Sequence, residues 1–424
     1  MIEDRVLGPS TKGLRLAAAT SIAELVADAP PVTDDRFAWP LLTIDEAALE
    51  HNLATMARVC AERGALHAPH LKTSMSAGLY ARQERAGAWG ATVATATQLR
   101  VVRSWGVRRV LVANEMVDGR DWRWAVADLA AARAAGSPGE LLAYVDGDEG
   151  LAAAAAALRD AAPQVRDDVG VLVELGVPGG RTGCRSVADA VALARRVVAA
   201  GVPLAGVAGY EGSVASGTTG DDLERVAAFC RELVSLADAL VADGLVAEPV
   251  VSAGGSAYVD VVLRELTAGA SPRRVVLRSG AYATHDHGLC ARADPWARLP
   301  EPVAMRAAAT VWCQVLSVPQ DGLAICGAGR RDVPYDIDLP TVLSVRRREG
   351  AGWLDPEPAS GMVVTKVDDQ HLYLRVEAGA SPAPRVGDVV GLGISHPCTL
   401  FDKWRAALLT DPAGRVVDVL LTEF

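Results

Sequence analysis

From about residue 42 to residue 300, short apolar, β-branched segments alternate with longer segments of helical spacing. Eight short segments predict strands, over residues 65–71, 91–96, 109–113, 141–146, 171–175, 205–210, 249–252 and 274–278. The segments between them predict helices, including residues 76–86, 121–135, 187–200 and 221–242. This repeated strand–helix order predicts an α/β fold, a closed (β/α)₈ barrel, with a doubly wound open sheet as the alternative.

After about residue 300 the pattern changes to short alternating segments separated by Gly, Pro and Asp. The segments at 306–318, 323–326, 361–366, 370–376 and 389–394 predict an all-β C-terminal domain. We therefore expect three parts. Residues 1–36 form an N-terminal segment that packs on the β-domain, residues 37–300 form the barrel, and residues 301–424 form the β-domain.

Composition narrows the class of protein. The chain has 424 residues, half of them hydrophobic, and a net charge of −10, which argues against a nucleic-acid partner. The N-terminus carries acids at positions 3 and 4 and lacks the apolar core of a secretory signal, and no apolar run is long enough to span a membrane. Seven scattered cysteines without a CxxC pair indicate a reducing compartment, so we expect a cytoplasmic protein.

Lys72 is one of only four lysines, against 38 arginines, and it stands at the end of the first predicted barrel strand. In such barrels the reactive groups lie at the C-terminal strand ends. An amine can form a Schiff base and a guanidinium cannot, so the position favours a chemical role. The alternative is an ordinary surface lysine.

The loop after the seventh strand contains Ser252, Gly254, Gly255 and Ser256, and the eighth strand is followed by Gly280, Ala281 and Tyr282. Loops seven and eight are the usual phosphate site of these barrels, although a Gly-Gly pair is also common in plain turns. Together with Lys72, they favour a phosphate-bearing aldehyde cofactor, pyridoxal 5′-phosphate.

Other side chains are predicted at the rim of the barrel. Arg181, in a Gly-rich loop, would place a cation near the cofactor's ring oxygen, and Tyr210 with Glu211 would add a phenol and a carboxylate. His285 and His287 are expected at the rim as well, with metal binding as the less favoured role.

His396 and Cys398 have the spacing of two metal ligands on one extended segment, because residues i and i+2 point to the same face of a strand. An imidazole with a thiolate suits Zn²⁺. The alternative is a core cysteine beside a surface histidine, and the other six cysteines are expected in the core. His371 is a possible neighbour of the pair.

These residues together resemble the fold-type III pyridoxal-phosphate enzymes, and within them the D-serine dehydratase and D-threonine aldolase group. From N- to C-terminus, the motifs that carry the resemblance are Pro69-His70-Leu71-Lys72-Thr73, Gly180-Arg181-Thr182-Gly183, Gly254-Gly255-Ser256, Ser279-Gly280-Ala281-Tyr282, Asp369-Gln370-His371, His396-Pro397-Cys398 and Phe401-Asp402-Lys403-Trp404. The resemblance covers nearly the whole chain from about Leu41.

The resemblance implies specific roles. Lys72 and Tyr210 are the expected catalytic residues, and the expected cofactor contacts are Lys72, His70, Arg181, Tyr210, Ser252, Gly254, Gly255, Ser256, Gly280, Ala281 and Tyr282. His396 and Cys398 would bind a divalent metal, Zn²⁺ with Mn²⁺ as the alternative, that meets the substrate's β-hydroxyl. A head-to-tail homodimer with shared active sites is also implied.

Two departures from the family pattern bear on the reaction. Many relatives carry a histidine where this chain has Ser74, and D-threonine aldolases typically carry one where it has Ser213. Since retro-aldol cleavage needs a base for the β-hydroxyl, we expect dehydration of a D-β-hydroxy amino acid to a keto acid and ammonia. Retro-aldol cleavage is the first alternative, followed by racemisation and by a non-catalytic cofactor-binding protein. No nucleic-acid or membrane partner is expected.

Overall fold

The N-terminal segment packs on the C-terminal part of the chain. The computed structural model describes residues 6–350 and 352–424. Its first elements are β1 (Val6–Leu7), β2 (Thr20–Ser21), α1 (Ile22–Val26), β3 (Leu41–Asp45) and α2 (Glu46–Glu62). Leu14 and Phe37 are buried in one cluster with Leu408 and Val416, which lie near the C-terminus.

A parallel eight-stranded barrel follows. Its strands are β4 (Leu66–His67), β5 (Ala91–Val93), β6 (Arg109–Glu115), β7 (Glu140–Val145), β8 (Val169–Leu175), β9 (Leu204–Gly209), β10 (Val250–Ala253) and β11 (Arg274–Leu277). They pair in the order β4-β11-β10-β9-β8-β7-β6-β5. A parallel bridge between His70 and Thr92 joins the two outer strands. The predicted barrel is therefore confirmed, and the open doubly wound sheet is not formed.

Nine helices accompany the barrel strands in the described residues, and five of them begin at a side-chain cap. They are α3 (Ala77–Arg85), α4 (Ala96–Ser104), α5 (Gly119–Ala134), α6 (Asp148–Leu158), α7 (Pro163–Arg166), α8 (Val187–Ala199), α9 (Gly220–Ala242), α10 (Val259–Leu266) and α11 (Leu289–Ala293). Thr219 and Asp222 form a capping box at the start of α9. No helix in the described part of the chain combines the length and apolar character that crossing a bilayer requires.

The interior of the barrel changes character along its axis. Leu111, Leu142, Leu172 and Val276 belong to a fully buried apolar cluster. Side chains on a strand alternate between its two faces, so the next inward positions lie at even spacing toward the C-terminal ends. There the side chains are polar, among them Glu174 and Arg278. The apolar layers supply the core, and the polar layer forms the floor of a site.

The C-terminal domain is an antiparallel β-structure. It contains β12 (Ala309–Gln320), β13 (Leu323–Cys326), β14 (Thr341–Arg346), β15 (Arg348–Glu349), β16 (Gly352–Trp353), β17 (Glu357–Pro358), β18 (Ser360–Val367), β19 (Leu372–Ser381), β20 (Val389–Gly393), α12 (Cys398–Phe401), β21 (Ala406–Thr410) and β22 (Val416–Leu421). Strand β3 pairs with β12 and with β21. The chain thus contributes a strand to this domain before it enters the barrel.

The first barrel strand differs from its prediction. Residues 65–71 were expected as one strand, but β4 ends at His67, and Leu71–Thr73 form a single turn of 3₁₀ helix. Pro69 has no N–H to donate to a ladder, so the strand cannot continue through it. Lys72 therefore lies on a tight turn beyond the strand end.

Asn52 is a buried link between α2, the barrel rim and the C-terminal domain. Its Nδ2 donates to the carbonyl oxygens of Ala283 at 2.9 Å and Arg306 at 2.7 Å, and its Oδ1 accepts from the Arg306 N–H at 2.9 Å. We predict that Asn52→Ala lowers the free energy of unfolding by about 3 kcal/mol, because one buried and two partly buried backbone groups lose their partner. Urea unfolding measures the change. The exposed control Glu62→Ala, which breaks only a surface pair with Arg58, should cost less than about 0.5 kcal/mol. Equal effects would contradict the prediction.

Candidate active site

A cavity of about 370 Å³ opens at the C-terminal ends of the barrel strands, with the segment after β20 as part of its wall. Most of the predicted site residues line it: His70, Lys72, Arg181, Tyr210, Gly254, Gly255, Ser256, Gly280, Ala281, His396 and Cys398. Two do not. Ser252 is buried beneath the floor, and Tyr282 lines a separate cavity, where it packs edge-on against His67 and accepts a hydrogen bond from Gln83.

Lys72 projects into this cavity from its 3₁₀ turn. The surrounding walls withdraw its amine from water and lower its pKa, and the charges of Arg181 and Arg278 lower it further. The negative charge of Cys398 acts in the opposite direction. A lowered pKa increases the fraction of neutral amine, which is the form that attacks a carbonyl or accepts a proton.

His70 supplies a neutral imidazole to the same wall. Burial lowers its pKa well below the usual value, and the nearby charges of Lys72 and Arg278 add to the shift. Its Nδ1 is buried and has no hydrogen-bond partner in the described chain. A buried polar atom without a partner at a cavity wall is expected where a ligand supplies the missing contact.

The glycine loop after β10 is arranged differently from the prediction. The N–H groups of Gly254 and Gly255 donate to the fully buried carboxylate of Glu211. In residues 6–350 and 352–424, the N–H groups of Ser256 and Ala281 have no acceptor. These backbone groups of loops seven and eight are therefore available to a phosphate.

Gly280 shows how closely the two loops approach. A Cβ at this position would lie 2.4 Å from the backbone oxygen of His70 and 2.8 Å from Thr73 Oγ1. The turn that carries Lys72 therefore packs directly against loop eight. Free N–H groups, a close backbone approach and an amine in one cavity fit pyridoxal phosphate.

Arg278, which sequence reasoning did not select, is buried on the cavity floor with 4% of its surface exposed. Its Nη1 donates to Ser252 Oγ at 2.8 Å and its Nη2 to the Gly209 oxygen at 2.7 Å. Ser252 thus positions an arginine instead of meeting a ligand itself. A guanidinium stays charged at all ordinary pH values, so it fixes a positive charge below the cavity. An arginine at the end of an apolar strand was the available signal.

Arg181 and Tyr210 form the opposite rim. The Arg181 guanidinium lies 4.3 Å from the centre of the Tyr210 ring. Burial and the charge of Glu211 raise the pKa of the Tyr210 phenol, so it keeps its proton at neutral pH. The phenol can therefore donate a hydrogen bond to a ligand.

His396 and Cys398 meet, although not on a strand. β20 ends at Gly393, and Cys398 begins helix α12. Both side chains line the cavity, and Cys398, followed by Asp336, raises the pKa of His396 to about 9. Burial opposes ionisation of the Cys398 thiol, but His396, Thr73 and Lys72 outweigh it and lower its pKa. A thiolate beside an imidazole is a fitting donor pair for Zn²⁺.

Asp336 completes this pair and was also missed by the sequence reasoning. Its Oδ2 accepts a hydrogen bond from His396 Nδ1 at 2.6 Å, and its Oδ1 accepts one from Thr399. A carboxylate on Nδ1 would hold the ring and leave Nε2 as the donor to a metal, as in carboxylate–histidine–zinc arrangements. Asp336 lies sixty residues before His396, so spacing along the chain could not reveal it.

The remaining histidines lie outside the cavity lining. His285 and His287 are near it and burial lowers the pKa of each, but Asp286 between them faces the cavity. His371 lies at the turn between β18 and β19. The structure therefore gives no support to metal binding by His285 and His287, or to His371 as a neighbour of the His396–Cys398 pair.

Comparisons with known proteins agree with this geometry. The alanine racemase N-terminal domain family matches residues 44–260, and a model described as "Putative serine dehydratase domain" matches residues 308–410. No curated protein sequence matches the chain. Because the first family covers just over half of the chain, the chain belongs to it.

Solved structures extend the similarity to both domains. D-threo-3-hydroxyaspartate dehydratase from Delftia sp. HT23 is 25% identical, with a TM-score of 0.70 over 91% of this chain and 97% of that chain. D-threonine aldolase from Filomicrobium marinum is 21% identical, with a TM-score of 0.73 over 91% and 95%. Alanine racemase from Bacillus anthracis is 14% identical, with a TM-score of 0.58 over 90% and 97%; the last two similarities concern the fold.

The predicted resemblance is therefore confirmed. The chain is a fold-type III pyridoxal-phosphate enzyme of the D-serine dehydratase and D-threonine aldolase group, and its class is that of pyridoxal-phosphate-dependent lyases.

We predict that Gly280→Ala weakens cofactor binding at least about tenfold. The added Cβ would force the Lys72 turn and loop eight apart, and overpacking of this kind costs about 1–3 kcal/mol. Titration of the cofactor-free protein with pyridoxal phosphate, followed by absorbance, measures the affinity. Gly220→Ala is the control, since its Cβ would meet nothing within 4 Å. An unchanged affinity in Gly280→Ala would contradict the prediction.

We also predict that Asp336→Asn lowers the affinity for Zn²⁺ by about 10- to 100-fold, because the ring of His396 loses its anionic partner. Competition with a chromophoric chelator measures this affinity. The control Asp338→Asn removes a nearby carboxylate that pairs with Arg292 instead, and it should bind Zn²⁺ normally. Equal affinities for all three proteins would contradict the assigned role of Asp336.

Proposed function

We propose that this enzyme dehydrates a D-β-hydroxy amino acid and releases a keto acid and ammonia. The observation that carries the proposal is the meeting of two groups in one cavity. The amine of Lys72 and the His396–Cys398 pair come from opposite ends of the chain, yet Thr73 Oγ1 lies 3.2 Å from Cys398 Sγ. A base for the α-proton and a donor pair for a Lewis acid are thereby side by side.

Different residues of the chain would transfer the α-proton and hold the cofactor. Lys72 Nζ takes the proton from the α-carbon, since its lowered pKa keeps more of the amine neutral. His70, Arg181, Tyr210, Ser256, Gly280 and Ala281 would hold the cofactor. Arg278 places a fixed positive charge beneath it. Pyridoxal phosphate, when bound, accepts the electron pair that the α-carbon retains.

The second half of the reaction concerns the β-hydroxyl. His396 and Cys398 would bind a divalent cation, with Zn²⁺ favoured by a nitrogen–sulfur donor set. Such a cation, when bound, polarises an oxygen ligand. Asp336 and Thr73 orient the two donors, so the hydroxyl would leave on the side of the cavity that carries Lys72.

The imidazole bases available in the cavity favour dehydration over retro-aldol cleavage. The family resemblance implies a histidine in many relatives at the position of Ser74, and one in D-threonine aldolases at the position of Ser213. The histidines that line the cavity are His70 and His396. Burial holds His70 neutral with a very low pKa, and His396 is engaged with Cys398 and Asp336. The described cavity therefore offers no separate imidazole to take the β-hydroxyl proton.

The assembly and compartment belong to the same proposal. Lys72 and Arg181 are exposed in the single chain, as expected if a second copy covers the cavity. We infer a homodimer in the cytoplasm. Gel filtration with light scattering would measure the oligomeric state.

A product assay tests the proposed reaction. Purified protein with pyridoxal phosphate and Zn²⁺ is incubated with D-serine, D-threonine and D-threo-3-hydroxyaspartate, and then with the L-isomers as controls. We expect a keto acid and ammonia in equal amounts from at least one D-isomer. Glycine with an aldehyde would show retro-aldol cleavage instead, and neither product from any substrate would contradict both reactions.

A further inference from the structure

A second group of possible metal ligands lies on the other side of the barrel mouth. Glu115 ends β6, Asp146 follows β7 and Glu174 lies near the end of β8. One carboxylate oxygen from each lies within 4.8 Å of the others. These three adjacent strands thus direct their last inward side chains to one point.

The hydrogen bonding around this point is incomplete. Glu174 is 7% exposed, and its Oε2 has no partner in residues 6–350 and 352–424. Both carboxylate oxygens of Glu115 also lack a partner there. Tyr144, with 2% of its surface exposed, faces the barrel interior within the electrostatic range of both glutamates, and its hydroxyl has no partner either. Four buried oxygens without partners indicate a missing group.

The cluster also lacks a compensating cation. Within the described chain, none of the three carboxylates forms an ion pair, although 25 pairs occur elsewhere. The charge of Arg278 acts on Glu174, but its guanidinium is engaged with Ser252 and Gly209. Three anions in this position require either a proton or a metal ion.

We propose that Glu115, Asp146 and Glu174 bind a hard divalent cation, of the class of Mg²⁺, Mn²⁺ or Ca²⁺, at a site distinct from the His396–Cys398 pair. Oxygen-only ligands select hard cations, whereas an imidazole with a thiolate selects Zn²⁺. The enzyme would then carry two metal sites of different chemistry. This proposal does not rest on the proposed dehydration, and either can fail alone.

The cation would also stabilise the loop that carries Arg181. Asp146 Oδ2 accepts a hydrogen bond from the Gly183 N–H at 2.9 Å, and the Asp146 carbonyl oxygen accepts one from Cys184 Sγ. Gly183 is two residues from Arg181, which lies against Tyr210. Fixing Asp146 therefore fixes the base of this loop, so the cation supports the cofactor side of the cavity.

Counting bound Mn²⁺ by electron paramagnetic resonance tests the proposal. The parent for the experiment is the full-length holoenzyme with His396→Ala and Cys398→Ala, which removes the other pair. We expect one Mn²⁺ per chain in this parent, with Mg²⁺ or Ca²⁺ able to displace it. Adding Glu115→Gln and Glu174→Gln should weaken the binding at least tenfold, whereas Glu149→Gln, an exposed acid on α6, should leave it unchanged.

A thermal melt guards against misfolded variants. Mn²⁺ should raise the melting temperature of the parent and of Glu149→Gln, but not that of the variant with Glu115→Gln and Glu174→Gln, which should still melt cooperatively. No Mn²⁺ bound to the parent would mean that the cluster holds a proton instead, and would overturn the proposal. Undiminished binding in the double glutamine variant would overturn it as well.

Discussion

The pairing of strand β3 between β12 and β21 is the constraint on which the rest of the structure depends. Leu41–Asp45 lies ahead of the barrel in the chain but within the sheet of the C-terminal domain. It therefore fixes that domain against the barrel before the first barrel strand begins. Because of this arrangement, the segment after β20 reaches the turn that follows β4, and Cys398 contacts Thr73 beside Lys72. Neither half of the chain contains the whole site.

Charge is distributed unevenly around the cavity. Lys72 and Arg278 follow the adjacent strands β4 and β11, whereas Glu115, Asp146 and Glu174 belong to β6, β7 and β8 across the barrel. The positive side lowers the pKa of the Lys72 amine, and the acids raise that of Glu115. Since both sets are partly desolvated, each affects ionisation more strongly than it would in water. The separation allows an anionic ligand and a cation to bind at one barrel mouth.

Much of the fold was predictable because the barrel strands are short apolar segments that alternate with longer segments of helical spacing. The prediction placed Lys72 at a strand end, and Pro69 explains why the strand stops earlier and a 3₁₀ turn carries the lysine. The group Lys72, Arg181, Gly280 and Cys398 could be selected because each stands in a recognisable motif. Arg278 offered only its place at the end of an apolar strand, and Asp336 offered no signal, since their roles arise from contacts between distant segments. The Glu211 carboxylate on the glycine loop is likewise a property of the folded barrel.

The central claim is that Lys72 and the His396–Cys398 pair serve different steps, and one comparison tests it most directly. In deuterated water, exchange of the α-proton of D-alanine needs Lys72 and the cofactor but no leaving group, whereas release of keto acid from D-serine needs both. Metal polarisation typically contributes several kcal/mol, and each ~1.4 kcal/mol corresponds to about tenfold in rate. Cys398→Ala should therefore slow keto-acid release by roughly two or more orders of magnitude while α-exchange continues at a comparable rate. Equal losses of both rates, or no loss of either, would contradict the account.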